Sequence, residues 1–217
     1  MARVKVKICG LKTPETVRAA VNAGADFIGL VFFPPSPRHV SIARAAELAT
    51  LARRVGGGTT RVVALVVDAT DAELRAIAER VRPDIIQAHG SETPSRVRAI
   101  SDLTGCAVVR AFRLKGPEDL AEVAAFDGAI AFPLFDAWHD DAALPGGMGQ
   151  SFDWRWLRGY DGDFMLAGGL TPQNVARAIA ETGAPMVDVS SGVERARGVK
   201  DTEKITRFIA AAKGETV

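Results

Sequence analysis

The sequence alternates from one end to the other between short apolar segments with strand character and segments with helical character. Each strand-like segment is followed by a polar or glycine-containing turn and then by a helix start. We predict strands over residues 4–9, 27–32, 62–67, 85–90, 107–114, 129–135, 164–167 and 186–189. Strands that alternate with helices in this way pair in parallel and are joined by right-handed crossovers.

Eight strand–helix units in a chain of 217 residues fit one compact domain, a (β/α)8 TIM barrel that spans residues 1–217. A doubly wound open sheet is the alternative fold, and it usually has fewer strands for this length. No Gly-x-Gly-x-x-Gly pattern follows the first strand, which removes the main reason to prefer a dinucleotide-binding sheet. We therefore predict the barrel.

Composition restricts the partners of the chain. Its 27 lysines and arginines are interspersed with 26 aspartates and glutamates. The sequence has no basic patch with interleaved aromatics, which is the pattern that predicts nucleic-acid binding. No apolar run reaches the length of a membrane span, and the first residues do not resemble a signal peptide. Cys9 and Cys106 both lie in apolar strand-like runs, which is typical of a reducing compartment. We expect a cytoplasmic protein with neither nucleic acid nor membrane as partner.

Polar residues and glycines occur where the apolar strands end. A barrel has its active site at the carboxyl ends of its strands, so these residues are expected to line one mouth. The candidates are Cys9, Arg38, His89, Arg113, Asp136, Gly168, Gly169, Ser191 and Gly192.

Cys9 and Asp136 are the candidates for proton transfer. Lys7 shares a strand face with Cys9 and is expected to lower the pKa of the thiol by favouring the thiolate. An apolar setting disfavours the charged form of a carboxyl, which suits Asp136 to the role of a general acid. The alternatives are that Cys9 is a buried structural cysteine and that Asp136 only begins the polar loop after its strand.

Glycines after the seventh and eighth strands indicate a phosphate site. They allow the backbone to approach an anion closely, and phosphate sites in barrels lie at these two loops. The alternative is that Gly168, Gly169 and Gly192 are only turn residues. The three histidines lie in separate units without the spacing of metal ligands, and we expect neither a metal nor an organic cofactor. His89 shares a strand face with Gln87 and could orient its neighbours or satisfy a core hydrogen bond.

Taken together, these features resemble the phosphoribosylanthranilate isomerase family of tryptophan biosynthesis. The matching stretches follow one another in the order of the family over nearly the whole chain. They are 7–11 (KICGL), 36–38 (SPR), 87–90 (QAHG), 146–149 (GGMG), 152–154 (FDW), 166–170 (LAGGL) and 187–194 (VDVSSGVE).

The resemblance implies an Amadori rearrangement of N-(5′-phosphoribosyl)anthranilate, a small phosphorylated substrate, without a cofactor. In that family the cysteine of the first strand is the general base, here Cys9, and the aspartate that ends strand six is the general acid, here Asp136. The arginine after the Ser-Pro pair, here Arg38, is expected to hold the anthranilate carboxylate. The loops after strands seven and eight are expected to bind the phosphate, and the chain is expected to be a monomer or a homodimer.

Four residues depart from the family pattern: Lys12, Ala88, Pro133 and Met148. None of them removes a catalytic group. Pro133 falls inside the predicted sixth strand and is expected to cause a bulge near Asp136, because proline has no N–H to give to the ladder. Met148 leaves the form of the substrate-covering loop open.

Two other functions remain open from the residues alone. One is an aminoaldose isomerase of histidine biosynthesis, which would be expected to use two aspartates where this chain has Cys9 and Asp136. The other is a catalytically silent protein that binds phosphate or serves as a scaffold, and the presence of both Cys9 and Asp136 argues against it.

Overall fold

The computed structural model describes residues 3–137 and 151–215. Eight parallel strands hydrogen-bond in sequence order, and the first also pairs with the eighth, so the sheet closes into a barrel. The predicted TIM barrel is therefore confirmed, and the open-sheet alternative is wrong. The strands are β1 (Lys5–Cys9), β2 (Phe27–Phe32), β3 (Arg61–Val66), β4 (Ile85–Ala88), β5 (Ala107–Leu114), β6 (Pro133–Ala137), β7 (Met165–Leu166) and β8 (Met186–Val189).

Helices surround the barrel. The α-helices are α1 (Pro14–Asn22), α2 (Ile42–Val55), α3 (Asp71–Arg80), α4 (Pro94–Thr104), α5 (Val175–Thr182) and α6 (Thr202–Lys213), and 3₁₀ helices cover Pro117–Phe126, Trp154–Leu157 and Ser191–Val193. Side chains cap the first two helices, because Thr13 accepts from the backbone N–H of Thr16 and Ser41 from that of Arg44. None of the helices among the described residues has both the length and the apolar character that a membrane crossing requires.

The core has two layers because side chains on a strand alternate between its two faces. Val6 and Ile8 are fully buried against the helices, in the layer outside the barrel. A second apolar cluster includes Phe27, Val63 and Leu134 and fills the barrel interior. The interior-facing residues at the carboxyl ends of the strands therefore form the floor of the mouth.

Strand β6 begins at Pro133, four residues after the predicted start at residue 129, so the proline is the first residue of the strand and not an interior one. Its register with β5 runs without a shift from the Arg110–Pro133 pair to the Arg113–Asp136 pair and beyond. The bulge expected near Asp136 is therefore wrong. A proline at the first position of a strand is tolerated.

A short antiparallel hairpin follows β8 and was not predicted from the sequence. It consists of β9 (Glu194–Ala196) and β10 (Val199–Lys200), and Gly198 in its turn has a φ of +75°. A Cβ atom on Gly198 would lie 2.7 Å from the carbonyl oxygen of Pro37. The hairpin is thus packed tightly against the loop that follows β2.

Candidate active site

The structure brings four of the predicted residues to the carboxyl end of the barrel. Cys9 is the last residue of β1, and Asp136 is the last but one of β6. His89 follows the last residue of β4. Arg113 pairs in register with Asp136 across β5 and β6, so the two side chains extend to the same side of the sheet. The strand-end argument therefore located these residues correctly.

Cys9 is buried beside a lysine–aspartate pair. Lys7 and Asp188 face each other in the register of β1 and β8, with Lys7 Nζ 3.0 Å from Asp188 Oδ1. Burial raises the pKa of the Cys9 thiol, the charge of Lys7 lowers it and that of Asp188 raises it, and the net pKa is raised. The expectation that Lys7 gives Cys9 a lowered pKa is therefore wrong, because burial and Asp188 outweigh the lysine.

Lys7 itself remains an ammonium ion in the barrel interior. Burial alone would lower its pKa, but the charges of Asp188 and of a Cys9 thiolate raise it, and the net pKa is raised. A fixed cation therefore lies beneath the thiol and can stabilise the thiolate once it forms.

His89 connects Gln87 to Asp136. The Gln87 amide nitrogen lies 2.9 Å from His89 Nδ1 and acts as the donor, so a neutral His89 ring carries its proton on Nε2. His89 Nε2 is buried, lies 3.6 Å from Asp136 Oδ2 and has no hydrogen-bond partner among the described residues. Asp136 Oδ1 accepts a hydrogen bond of 2.8 Å from the backbone N–H of Ala137. The Asp136 carboxyl is thus held on one oxygen and faces an imidazole N–H with the other.

Arg38 is held in a buried bidentate ion pair. Its Nε donates to Glu194 Oε1 at 2.7 Å and its Nη2 to Glu194 Oε2 at 3.0 Å. A Cβ atom on Gly10 would lie 2.7 Å from Arg38 Cδ, so the absence of a side chain at Gly10 leaves room for the arginine. The contact to Glu194 fixes the plane of the guanidinium at the mouth.

Glu194 and Lys200, on the hairpin, were not among the predicted site residues. Burial raises the pKa of Glu194, but hydrogen bonds from Arg38 and Lys200, the charge of Lys200 and the Gly198 N–H lower it to about 2. Burial lowers the pKa of Lys200 to about 8, although attraction to Glu194, 2.9 Å away, raises it. The Arg-Gly pair at residues 197–198 was the one local sign of the hairpin.

The loops after β7 and β8 lie against each other. Gly168 and Gly169 have φ angles of +81° and +63°, a region that favours glycine. A Cβ atom on Gly192 would lie 1.9 Å from the carbonyl oxygen of Leu170, so this contact requires glycine. Asn174 secures the first loop, because its Nδ2 donates to the carbonyl of Gly169 at 2.9 Å.

The GGMG stretch at 146–149, which carried part of the family resemblance and includes Met148, lies outside the described residues. Within residues 3–137 and 151–215, no three histidine, cysteine, aspartate or glutamate side chains are grouped so that they could hold a metal ion.

A buried thiol and a carboxyl beside an imidazole, at the carboxyl end of one closed parallel barrel, define a (β/α)8-barrel enzyme equipped for acid–base chemistry. The family model described as N-(5′-phosphoribosyl)anthranilate (PRA) isomerase matches residues 6–211. The chain belongs to this family, whose reaction is an aldose–ketose isomerisation.

Relatives with that name are similar over almost the full length. The N-(5′-phosphoribosyl)anthranilate isomerase of Rhodopseudomonas palustris (strain BisB5) is 51% identical over 213 residues, which cover 97% of this chain and 96% of the relative. The crystal structure of phosphoribosyl anthranilate isomerase from Thermotoga maritima has a TM-score of 0.86 at 30% identity, covering 97% of this chain and 99% of the other. A phosphoribosyl anthranilate isomerase in complex with reduced 1-(o-carboxyphenylamino)-1-deoxyribulose 5-phosphate has a TM-score of 0.83 at 30% identity, with the same coverage.

Proposed function

We propose that this chain converts N-(5′-phosphoribosyl)anthranilate into 1-(2-carboxyphenylamino)-1-deoxyribulose 5-phosphate in tryptophan biosynthesis. The observation that carries the proposal is the placement of Cys9 and Asp136 at the carboxyl ends of β1 and β6 in one closed barrel. Membership of the isomerase family supports the same reaction.

The reaction needs one proton donor and one proton acceptor. Asp136 donates a proton to the ribose ring oxygen, the C1′–O bond breaks, and the ring opens to a Schiff base in which the anthranilate nitrogen takes up the positive charge. The Cys9 thiolate then removes the proton from C2′. The resulting enolamine tautomerises to the ketone, so no oxidant or reductant is consumed.

His89 and Arg113 complete the acid side of the mouth in this proposal. The Nε2–H of His89 faces Asp136 and helps to orient the carboxyl toward the ring oxygen. Arg113 lies beside Asp136 in the β5–β6 register and supplies a cation for the anionic substrate.

Arg38 binds the anthranilate carboxylate in this proposal. The bidentate pair with Glu194 fixes the plane of the guanidinium at the mouth. The planar fork of N–H donors that a guanidinium presents to a carboxylate is one that a lysine cannot copy.

The phosphate binds between the loops after β7 and β8, through Gly168, Gly169, Ser191 and Gly192. Their close contact and the positive φ angles of the first loop bring the backbone within reach of an anion. One domain over residues 1–217, a cytoplasmic location and a monomer or homodimer remain our predictions.

The test is the loss of fluorescence of freshly made phosphoribosylanthranilate when the purified chain is added. We expect rapid loss with the native chain and a loss that is slower by about 10²–10⁴-fold or more with Cys9→Ala or Asp136→Asn. A native chain that leaves this substrate unchanged but isomerises the aminoaldose of histidine biosynthesis would overturn the proposal.

A further inference from the structure

The ammonium group of Lys200 is a buried junction beneath the mouth. Its Nζ donates to the carbonyl oxygen of Ser190 at 2.8 Å, to Ser190 Oγ at 3.2 Å and to Glu194 Oε1 at 2.9 Å. A lysine ammonium has three N–H donors, so these three acceptors match its full capacity. The Lys200 side chain is 2% exposed, so water does not compete for these bonds.

The two residues that accept hydrogen bonds from Lys200 lead to different parts of the active site. Ser190 Oγ donates to the carbonyl oxygen of Cys9 at 3.3 Å, and Ser190 is the first residue of the loop after β8. On the other side, Glu194 accepts two hydrogen bonds from the Arg38 guanidinium. One ammonium group therefore connects the strand end that carries the thiol, the loop proposed to bind phosphate and the arginine proposed to bind carboxylate.

We propose that Lys200 is a positioning residue whose ammonium group holds the loop after β8 and Arg38 in the arrangement that binds the two anionic ends of the substrate. The inference rests on the proposed function, because it assigns these two ends to that loop and to Arg38. Lys200 touches no reacting atom, and its hydrogen bonds go to Ser190 and Glu194.

The charge of Lys200 is sensitive to mildly alkaline pH. Burial lowers its pKa, Glu194 raises it, Arg38 lowers it and a Cys9 thiolate raises it, and the result is about 8. From α6, Lys204 also faces this group, with its Nζ 2.8 Å from the carbonyl oxygen of Glu194. Above pH 8 the junction loses one donor and its charge, so substrate binding should weaken with it.

The first experiment compares Lys200→Met with Lys213→Met in the full chain. Lys213 is a matched control, since its side chain is also 2% exposed and its Nζ lies 3.1 Å from Asp26 Oδ2. Asp26 directly precedes β2 and its side chain is 34% exposed, so this partly buried ion pair lies at the opposite end of the barrel. The probes are reduced 1-(o-carboxyphenylamino)-1-deoxyribulose 5-phosphate and inorganic phosphate, with Kd measured at pH 7 and Tm measured without ligand.

We expect Lys200→Met to raise the Kd of both probes by about tenfold or more, as the loss of charge-assisted hydrogen bonds does. Lys213→Met should raise neither Kd. Removing one partner of a buried ion pair is destabilising, so both variants should melt below the native chain, and each Kd is measured at a temperature at which both variants are folded. Unchanged Kd values in Lys200→Met would overturn the inference. A native chain that binds neither probe would instead overturn the proposed function, and the inference with it.

A second measurement needs no substitution at Lys200. In the Cys9→Ala chain, which removes the titrating thiol and its upward effect on the pKa of Lys200, the Kd of the reduced product analogue should begin to rise at a pH no higher than about 8, by up to about tenfold per pH unit, following deprotonation of Lys200. The same chain with Lys200→Met added should show no such rise. A pH profile that is identical with and without Lys200 would contradict the role given to its charge.

Discussion

Replacement of Glu194 by glutamine should destabilise the chain by about 3 kcal/mol at pH 7. The pKa of Glu194 falls from an ordinary 4.5 to about 2 in the folded chain, and each pKa unit corresponds to about 1.36 kcal/mol. The side chain is 5% exposed, so solvent does not screen the interaction. Removing one partner of a buried pair costs about 3–5 kcal/mol, in agreement with this figure.

The pH dependence of this effect has a defined sign. Because the folded pKa is depressed, the stabilisation from Glu194 is complete above pH 4.5 and is lost as the pH falls toward 2. The stability difference between the native chain and Glu194→Gln should therefore narrow by about 2 kcal/mol between pH 7 and pH 3.

Urea unfolding and thermal melting measure the difference, and a decrease of about 6–12 °C in Tm is expected for a chain of this size. Glu203→Gln is the control, because Glu203 forms a surface pair with Arg207 and its side chain is 79% exposed. That substitution should change the stability by less than about 0.5 kcal/mol. A cost below about 1 kcal/mol for Glu194→Gln, or equal costs for the two variants, would refute the reasoning.

Three further predictions concern activity. The pH at which kcat/KM rises with Cys9 ionisation should be higher in Lys7→Met and lower in Asp188→Asn, since burial, then Lys7, then Asp188 determine the thiol pKa. pH–rate profiles that shift in the same direction in the two variants would contradict this. Arg38→Lys should raise KM by about tenfold or more through loss of the planar fork while phosphate binding is kept, and equal weakening of both would contradict the carboxylate role. Gly192→Ala should raise KM and weaken the binding of inorganic phosphate, because its Cβ would lie 1.9 Å from a carbonyl oxygen of the loop after β7. An unchanged KM would exclude this phosphate site.

The barrel could be predicted because its signals are local. Val6 and Ile8 alternate with Lys7 and Cys9 along β1, and this period of two separates the helix-facing side from the interior. Strand boundaries were less certain, since apolar residues before Pro133 read as strand although β6 begins only there.

The electrostatics of the thiol could not be predicted. Asp188 lies 181 positions from Lys7 in the chain, inside an apolar strand, and only closure of the barrel brings the two into contact. The sequence shows a lysine near a cysteine, but the sign of the net pKa shift depends on how deeply both are buried.

The network around Lys200 escaped prediction for a similar reason. Arg38 and Glu194 are 156 positions apart, and the hairpin that carries Glu194 and Lys200 has strands of only three and two residues. Strands so short have too few positions for a recognisable alternation, so the glycine at 198 was the only local indication.

The assignment of Cys9 as base and Asp136 as acid is the central claim, and the most direct test is the kinetic isotope effect of deuterium at C2′ of the substrate. In Cys9→Ser, where a hydroxyl replaces the thiol, abstraction of the C2′ proton should limit the rate, so we expect a large isotope effect on kcat/KM. In Asp136→Asn, ring opening should limit the rate and the isotope effect should be close to one. A large effect in Asp136→Asn together with none in Cys9→Ser would contradict the account, because it would exchange the two roles.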